Sequence, residues 1–344
     1  IYTLSLHDAL PILSVVGRRS DCTALGNLVA NHENVCIYGA PKSGKTSLVH
    51  QALINLKTSG VGVEVPSCDL SGVRTVGELV TSLVSSLMRQ LCDGPSDYAD
   101  FMEHFLSGTG FAFDEALYED FGNLAVFCGD VSAGDVTEAL TLPYRVASER
   151  ACNLCVVFDE FQNIMEINGF ESILKEMERI AVDNAGSGAS YIFCGSSVNA
   201  MKWMFEYKKY FFRNVAVLPM SPITEQEVID HIVDGFRPTG KVIEKDLIQA
   251  PYRVFGGNMW YINLMASFCN ARAIGYINEK TIRDSIETVI SLNEPRFRMI
   301  VADLTVFQMS FLRAVLRGET RFSASDVIEK YDLHSSANVK RVRD

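Results

Sequence analysis

Residues 39–46 read Gly39-Ala40-Pro41-Lys42-Ser43-Gly44-Lys45-Thr46, which fills every fixed position of the pattern G-x-x-x-x-G-K-[ST]. Val35-Cys36-Ile37-Tyr38 precedes it as a short apolar run, the signature of a buried strand. From Thr46 to Leu56 the apolar residues Leu48, Val49, Ala52, Leu53 and Leu56 recur at helical spacing. The loop therefore joins a strand to a helix N-terminus. Gly39 and Gly44 let the backbone curl so that successive N–H groups converge on an anion, and the helix terminus adds partial positive charge. This is a phosphate cradle, with Ala40, Pro41, Lys42 and Ser43 forming its arch. Lys45 is expected to reach the terminal phosphates, Thr46 to offer a hydroxyl to Mg²⁺, and Ser47 to continue the contact along the helix.

Working outward, strands alternate with helices. Val61–Val65 is expected to be a second strand. Thr75-Val76-Gly77-Glu78 is a capping box opening a helix with Val76, Leu79, Val80, Leu83, Leu87 and Leu91 on one face. Residues 92–134 read as an insertion with short helices, and Asp135–Arg150 as a helix. Asn153-Leu154-Cys155-Val156-Val157-Phe158 and Ser190–Cys194 are continuous apolar runs, as central parallel strands covered on both faces should be. Val215–Leu218 is a fifth strand, and Ser20 or Asp21 is expected to cap a helix ending near Ala30. This alternation predicts a doubly wound α/β sheet. Past Ser221 the strand signal fades. A second capping box, Thr224-Glu225-Gln226-Glu227, opens a helical stretch that is expected to end near Leu292.

Ligands of open α/β sheets bind at the carboxyl ends of the strands. Asp159-Glu160 falls there after the third strand. Asp159 is the expected metal partner, and Glu160 is placed to orient and deprotonate an attacking water. Ser196 and Ser197 end the next strand, where either hydroxyl could sense a terminal phosphate. Arg213, just before the fifth strand, offers a fixed and permanent positive charge for a transition state, acting either within its own chain or on a neighbouring copy.

The 344 residues carry a net charge of −11, which excludes a uniformly basic nucleic-acid coat. Residues 295–344 hold nine Lys/Arg and six Asp/Glu, a local +3 that leaves −14 for the rest. The nine cysteines show no disulfide or zinc spacing, and Cys152 and Cys155 lie on an apolar run where core packing is the expectation. Such cysteines, together with nucleotide chemistry, lead to the expectation of a reducing cytoplasm, and no apolar run reaches the length of a membrane span. Residues 1–12 (IYTLSLHDALPI) resemble translated adapter read-through and are set apart from the fold.

Together these features resemble the archaeal-type ATPase family of P-loop NTPases, related to AAA+ and STAND ATPases. The markers are Gly17-Arg18-Arg19, the P-loop, Val157-Phe158-Asp159-Glu160-Phe161-Gln162, Gly195-Ser196-Ser197 and Gly256-Gly257-Asn258. The resemblance implies a P-loop ATPase core over residues 13–220, an α-helical lid over 221–294 and a truncated winged-helix domain over 295–344. It further implies that ATP is bound with Mg²⁺, with Arg18 and Arg19 near the adenine and Asn258 approaching from the lid. Where STAND relatives carry proline after the paired glycines, this chain has Met259 and Trp260. In the winged helix, Leu304–Leu316 would bury Phe307, Phe311, Leu312 and Val315, and Phe322-Ser323-Ala324-Ser325 would cap a second helix. The third would carry Lys340, Arg341 and Arg343 towards DNA, unless the domain serves a protein partner. The expected activity is ATP hydrolysis driving a conformational switch, with nucleotide-dependent self-assembly open. The alternatives are an ATP-gated binding module without turnover and, with less support, a phosphoryl transferase.

Overall fold

The computed structural model describes residues 15–121 and 126–343; residues 1–12, set apart above, lie outside them. The central sheet has five parallel strands: β1 (Asn34–Tyr38), β2 (Ser67–Asp69), β3 (Leu154–Asp159), β4 (Ala189–Gly195) and β5 (Val215–Val217). Their spatial order is β2-β3-β4-β1-β5. The near-continuous apolar runs of β3 and β4 are buried almost throughout, as strands covered on both faces must be.

Successive side chains divide between the two faces. Val35, Ile37, Cys155, Val157, Ile192 and Cys194 pack against the helices Arg19–Ala30 and Lys45–Thr58. Cys36, Val156, Phe158, Tyr191 and Phe193 face the opposite way. They meet apolar residues of the helices Val76–Leu91, Ala133–Glu149 and Phe170–Asp183. The capping box at Thr75 and Glu78 forms as read, and a further box, Ser132 with Asp135, starts Ala133–Glu149 two residues before the expected Asp135.

Four expectations shift. The second strand begins at Ser67 rather than Val61. Glu64 already pairs with Leu154, but Pro66 has no N–H to give and interrupts the ladder. The first helix starts at Arg19 with Arg18 in the cap position, because Asp21 turns its carboxylate to the Ser221 N–H and hydroxyl, each at 2.8 Å. The insertion contains an antiparallel pair, Phe111–Phe113 with Val126–Cys128, besides the helices Pro95–Phe105 and Glu115–Phe121. The helix expected to end near Leu292 runs from Glu279 to Ala302 through Pro295. Around the proline, the Asn293 side chain donates to the Val289 carbonyl at 2.8 Å and Arg298 pairs with Glu294 at 2.7 Å.

Contacts divide the chain into two compact units. One runs to Val228 and includes Gly257–Trp260; the other comprises Ile229–Gly256 and the residues from Tyr261 onward. The second unit holds the helices Gln249–Val254 and Glu279–Ala302 and, from Tyr261 on, the helix Met259–Arg272. It also holds a two-residue parallel pair, Val242–Ile243 with Tyr276–Ile277, in the stretch read as purely helical. Its last three helices, Val306–Leu316, Ser325–Tyr331 and Ser336–Arg343, enclose Val327, Leu333 and Val339. Phe307 and Phe311 pack on that cluster as expected, whereas Val315 faces outward. The Ser325 helix has Ala324 in its cap position, and no side chain caps it.

Candidate active site

Tyr38, Asp159 and Gly195 end β1, β3 and β4, so the segments that follow emerge along one edge of the sheet. Tyr38 lies level with Gly195, and the Gly39 N–H donates to the Gly195 carbonyl at 3.2 Å. β4 therefore places Ser196 between the P-loop on one side and Asp159-Glu160 on the other.

The P-loop turns through Lys42 at φ +63° and Gly44 at φ +89° into the helix Lys45–Thr58, whose first turn has no side-chain cap. Its leading N–H groups therefore point towards the loop's mouth, where helix geometry leaves them for a ligand. Lys45 is buried, with its ammonium on the Gly39 and Ala40 carbonyls at 2.9 and 3.1 Å. Burial pulls its pKa below the usual lysine value, while Glu160 and Asp159 oppose that shift. Thr46 and Ser47 are exposed at the mouth. The Thr46 hydroxyl donates to Asp159 Oδ2 at 3.2 Å. A hydroxyl and a carboxylate that converge in this way are hard oxygen donors and fit Mg²⁺, which takes few protein ligands and completes its shell with water and phosphate.

Glu160 adopts a left-handed backbone, φ +51° and ψ +42°, immediately after the strand. That turn swings its side chain away from Asp159 towards the end of β4. The Ser196 hydroxyl donates to Glu160 Oε2 at 2.5 Å, and the Gln162 amide donates to the same oxygen at 2.5 Å. Of the two candidate serines, Ser196 meets the glutamate, while Ser197 is exposed at the start of the helix Val198–Lys202. Phe161, fully buried beneath the turn, packs on Phe158, Phe193 and Phe205. Gln162 was legible only as part of a motif, with no role attached. A polar residue two positions past the glutamate was the available signal, but its direction depends on the turn.

Arg18 also has a left-handed backbone. Its guanidinium donates to the Ser221 carbonyl at 2.7 Å and to the P-loop Ser43 carbonyl at 2.8 Å, and burial lowers its pKa. In this structure it braces the loop. Arg19 is exposed on the first turn of its helix. Asn258 accepts the Trp260 N–H at 3.0 Å, as a helix cap does, and Lys42 lies over the Trp260 ring at 3.0 Å. Tyr38 donates to Glu206, and burial together with that bond pushes its hydroxyl pKa well up.

Arg213 lies elsewhere. It precedes β5, and Val215 is level with Asn34, the first residue of β1. Five residues of strand, roughly 16 Å, separate that level from Gly39. A role for Arg213 on the phosphates of its own chain is therefore corrected: the sheet puts it at the opposite edge. There it lines a cleft of about 510 Å³ with Asn34, Tyr144 and Asn214. All nine cysteines are free. Cys155 sits in the core with its pKa raised to about 12 by burial, in keeping with packing rather than redox or metal chemistry. Among the described residues, no helix is long and apolar enough to cross a membrane.

The profile of an ATPase domain predominantly from Archaea matches residues 18–265. No curated protein matches. Among solved structures, the Walker-type ATPase PABY2304 of Pyrococcus abyssi superposes with a TM-score of 0.64 at 14% identity, covering 96% of this chain and 88% of its own. The ORC2 protein of Aeropyrum pernix, in ADPNP–ADP complexes, gives 0.60 at 15%, covering 93% and 80%. The ORC1 protein of the same organism, in complex with DNA, gives 0.56 at 14%, covering 98% and 85%. At such identities these structures speak for the fold: a parallel-sheet P-loop ATPase. The matched profile spans more than two thirds of the chain, including the loop, the carboxylate pair and Ser196, and on that ground the chain belongs to the family of ATPase domains found predominantly in Archaea and is an ATP-hydrolysing enzyme.

Proposed function

We propose that this protein is a Mg²⁺-dependent ATPase in which hydrolysis resets a conformational switch between the ATPase core, a helical lid and a C-terminal winged helix, in a cytoplasmic setting. The observation that carries the reading is the convergence of Thr46, Asp159 and Glu160 beside Lys45 at one edge of the sheet. Bound Mg²⁺ would neutralise phosphate charge and align the terminal phosphate. The remaining work falls to the chain's own groups. The P-loop, Gly39 through Ser47, holds the phosphates, and Lys45 leaves its two carbonyls for the terminal oxygens. Glu160 takes a proton from the attacking water. Ser196, bonded to Glu160 at the end of β4, senses the terminal phosphate or the attacking water. Positioning and charge stabilisation supply most of the acceleration.

Arg213 belongs to this scheme as a group supplied to a neighbouring copy, which would make turnover depend on assembly. Arg18, Arg19 and Asn258 remain the residues proposed to flank the base. The three C-terminal helices are proposed to form the start of a winged helix. Lys340 is exposed on the helix Ser336–Arg343, and the DNA seen with the ORC1 protein supports DNA as its partner over a protein. The side chains of Arg341 and Arg343 lie outside the described residues. Steady-state hydrolysis in Mg²⁺, against the same protein in chelator and against Glu160→Gln, with bound nucleotide quantified, tests the reading. Turnover in Mg²⁺, together with a variant that binds ATP and does not cleave it, is the expected result. Equal binding with no turnover in either protein would replace it with an ATP-gated binding module.

A further inference from the structure

Glu160 has two carboxylate oxygens, and the fold treats them differently. Oε2 accepts two hydrogen bonds, from Gln162 Nε2 and Ser196 Oγ, each at 2.5 Å. Oε1 accepts none among the described residues. Gln162 closes the arrangement: its Oε1 accepts the Ser196 backbone N–H at 3.0 Å, and its Nε2 lies 3.4 Å from the Ser196 hydroxyl. The orientation of the amide follows from chemistry. A backbone N–H can only donate, so the amide oxygen must face it, which turns the NH₂ group towards the carboxylate. Only a side chain with a donor and an acceptor at this reach can do both. Asparagine is one methylene shorter, and glutamate would set two carboxylates against each other.

The surroundings are built to keep this bridge. The Glu160 carbonyl accepts the Asn163 N–H at 3.0 Å, and the Glu160 N–H donates to Asp159 Oδ1 at 3.0 Å, so the left-handed turn is tied at both ends. Phe161, between the two bridging residues, is fully buried. Gly195 leaves the room: a Cβ there would stand 2.9 Å from Gln162 Oε1 and 2.4 Å from Met201.

We propose that Gln162 is a positioning residue of the hydrolytic step. It pins Oε2 of Glu160 to the end of β4 and so leaves Oε1 to take the proton of the attacking water. The inference rests on the hydrolase reading of the site. In the step, a water O–H bond breaks with its proton passing to Oε1, and the water oxygen bonds the γ-phosphorus. The bond from that phosphorus to the bridging oxygen breaks, its electron pair leaving on ADP. A freely rotating Glu160 would present either oxygen at varying angles, and misplacement of about 1 Å costs on the order of 10²-fold.

The test compares Gln162→Glu with Gln162→Ala, Ser196→Ala and the wild-type chain. Gln162→Glu keeps an acceptor for the Ser196 N–H but loses the donor to Glu160 and sets a second carboxylate against it, whereas Gln162→Ala removes the donor without adding charge. The expected result for Gln162→Glu is a kcat lowered by about 10- to 100-fold with the affinity for Mg·ATP and the melting temperature preserved. Amide hydrogen exchange at Ser196 should quicken in Gln162→Ala and stay slow in Gln162→Glu, showing that the second variant keeps the fold. Combining Gln162→Glu with Ser196→Ala should cost less than the sum of the single effects, because both act through one oxygen. A Gln162→Glu protein with wild-type kcat, or one whose loss appears only as weaker binding, overturns the positioning role and leaves the hydrolase reading intact. A wild-type chain that binds ATP without turning it over sinks the hydrolase reading and the positioning role with it.

Discussion

Lys45 and Arg213 are two cations of one sheet, placed at opposite edges, and their surroundings differ in kind. Lys45 is buried on two carbonyls, and around it Thr46, Asp159, Glu160, Gln162 and Ser196 already bond one another. Arg213 is exposed and forms no ion pair among the described residues; its guanidinium lies 5.2 Å from the exposed ring of Phe212. The backbone there is tense, with Lys209, Phe211 and Arg213 all at positive φ, of +56°, +58° and +65°. One edge is a site that a single chain completes. The other is a charge held out on a strained loop. Under the proposed scheme the contrast separates nucleotide binding, which the groups around Lys45 serve within one copy, from efficient turnover, which would draw on the Arg213 of a second.

The most direct way to break that contrast is to empty one side of it. Lys45→Ala and Glu160→Gln are each expected to lower ATP turnover by about 10²- to 10⁴-fold. Only the first should also abolish tight nucleotide binding, as read by titration with a fluorescent ATP analogue. Arg213→Ala should lower turnover by about 10³-fold or more without weakening binding. Mixing it with Lys45→Ala should restore part of the activity, because the second protein supplies the arginine that the first lacks. Failure to complement, with full activity in Arg213→Ala alone, would make the exposed edge an ordinary solvated surface.

Smaller effects sharpen the picture. Gly195→Ala forces a methyl group into Met201 and the Gln162 amide, and should cost about 1–3 kcal/mol of stability in denaturant unfolding, along with a loss of kcat. In the other unit, burial holds the pKa of His231 below its usual value, with an Asn263 hydrogen bond at 3.1 Å opposing the shift. A histidine whose folded pKa is depressed binds protons first in the unfolded chain. Its contribution is intact above pH about 6.5 and is lost as pH falls through the lower folded value. His231→Gln should therefore flatten the acid limb of thermal stability below pH about 6.5, measured in the absence of nucleotide. An unchanged limb would place the acid sensitivity elsewhere.

Much of the site was legible because its parts are consecutive in the chain. The P-loop, the apolar strand ending in Asp159-Glu160 and the one ending in Gly195-Ser196 each carry a local pattern, period and terminus together. The parallel sheet followed from unbroken apolar runs. The second strand was displaced because its apolar stretch, Val61 to Val65, lies before Pro66, and the ladder resumes only where N–H groups are available. The helix Glu279–Ala302 continues past the expected end near Leu292 and through Pro295, although proline disfavours a helix interior by local preference.

What the sequence by itself determined is therefore the set of groups and the edge of the sheet to which most of them come, because motif, hydrophobic period and strand terminus are properties of neighbouring residues. Three things waited for the tertiary structure. It chose Ser196 over Ser197, brought in Gln162, and sent Arg213 to the far edge. The first two depend on the left-handed turn at Glu160 beside β4, and the third on the strand order that pairs β5 with β1. Both are set by which faces pack together across long separations in the chain, where no local pattern carries the information.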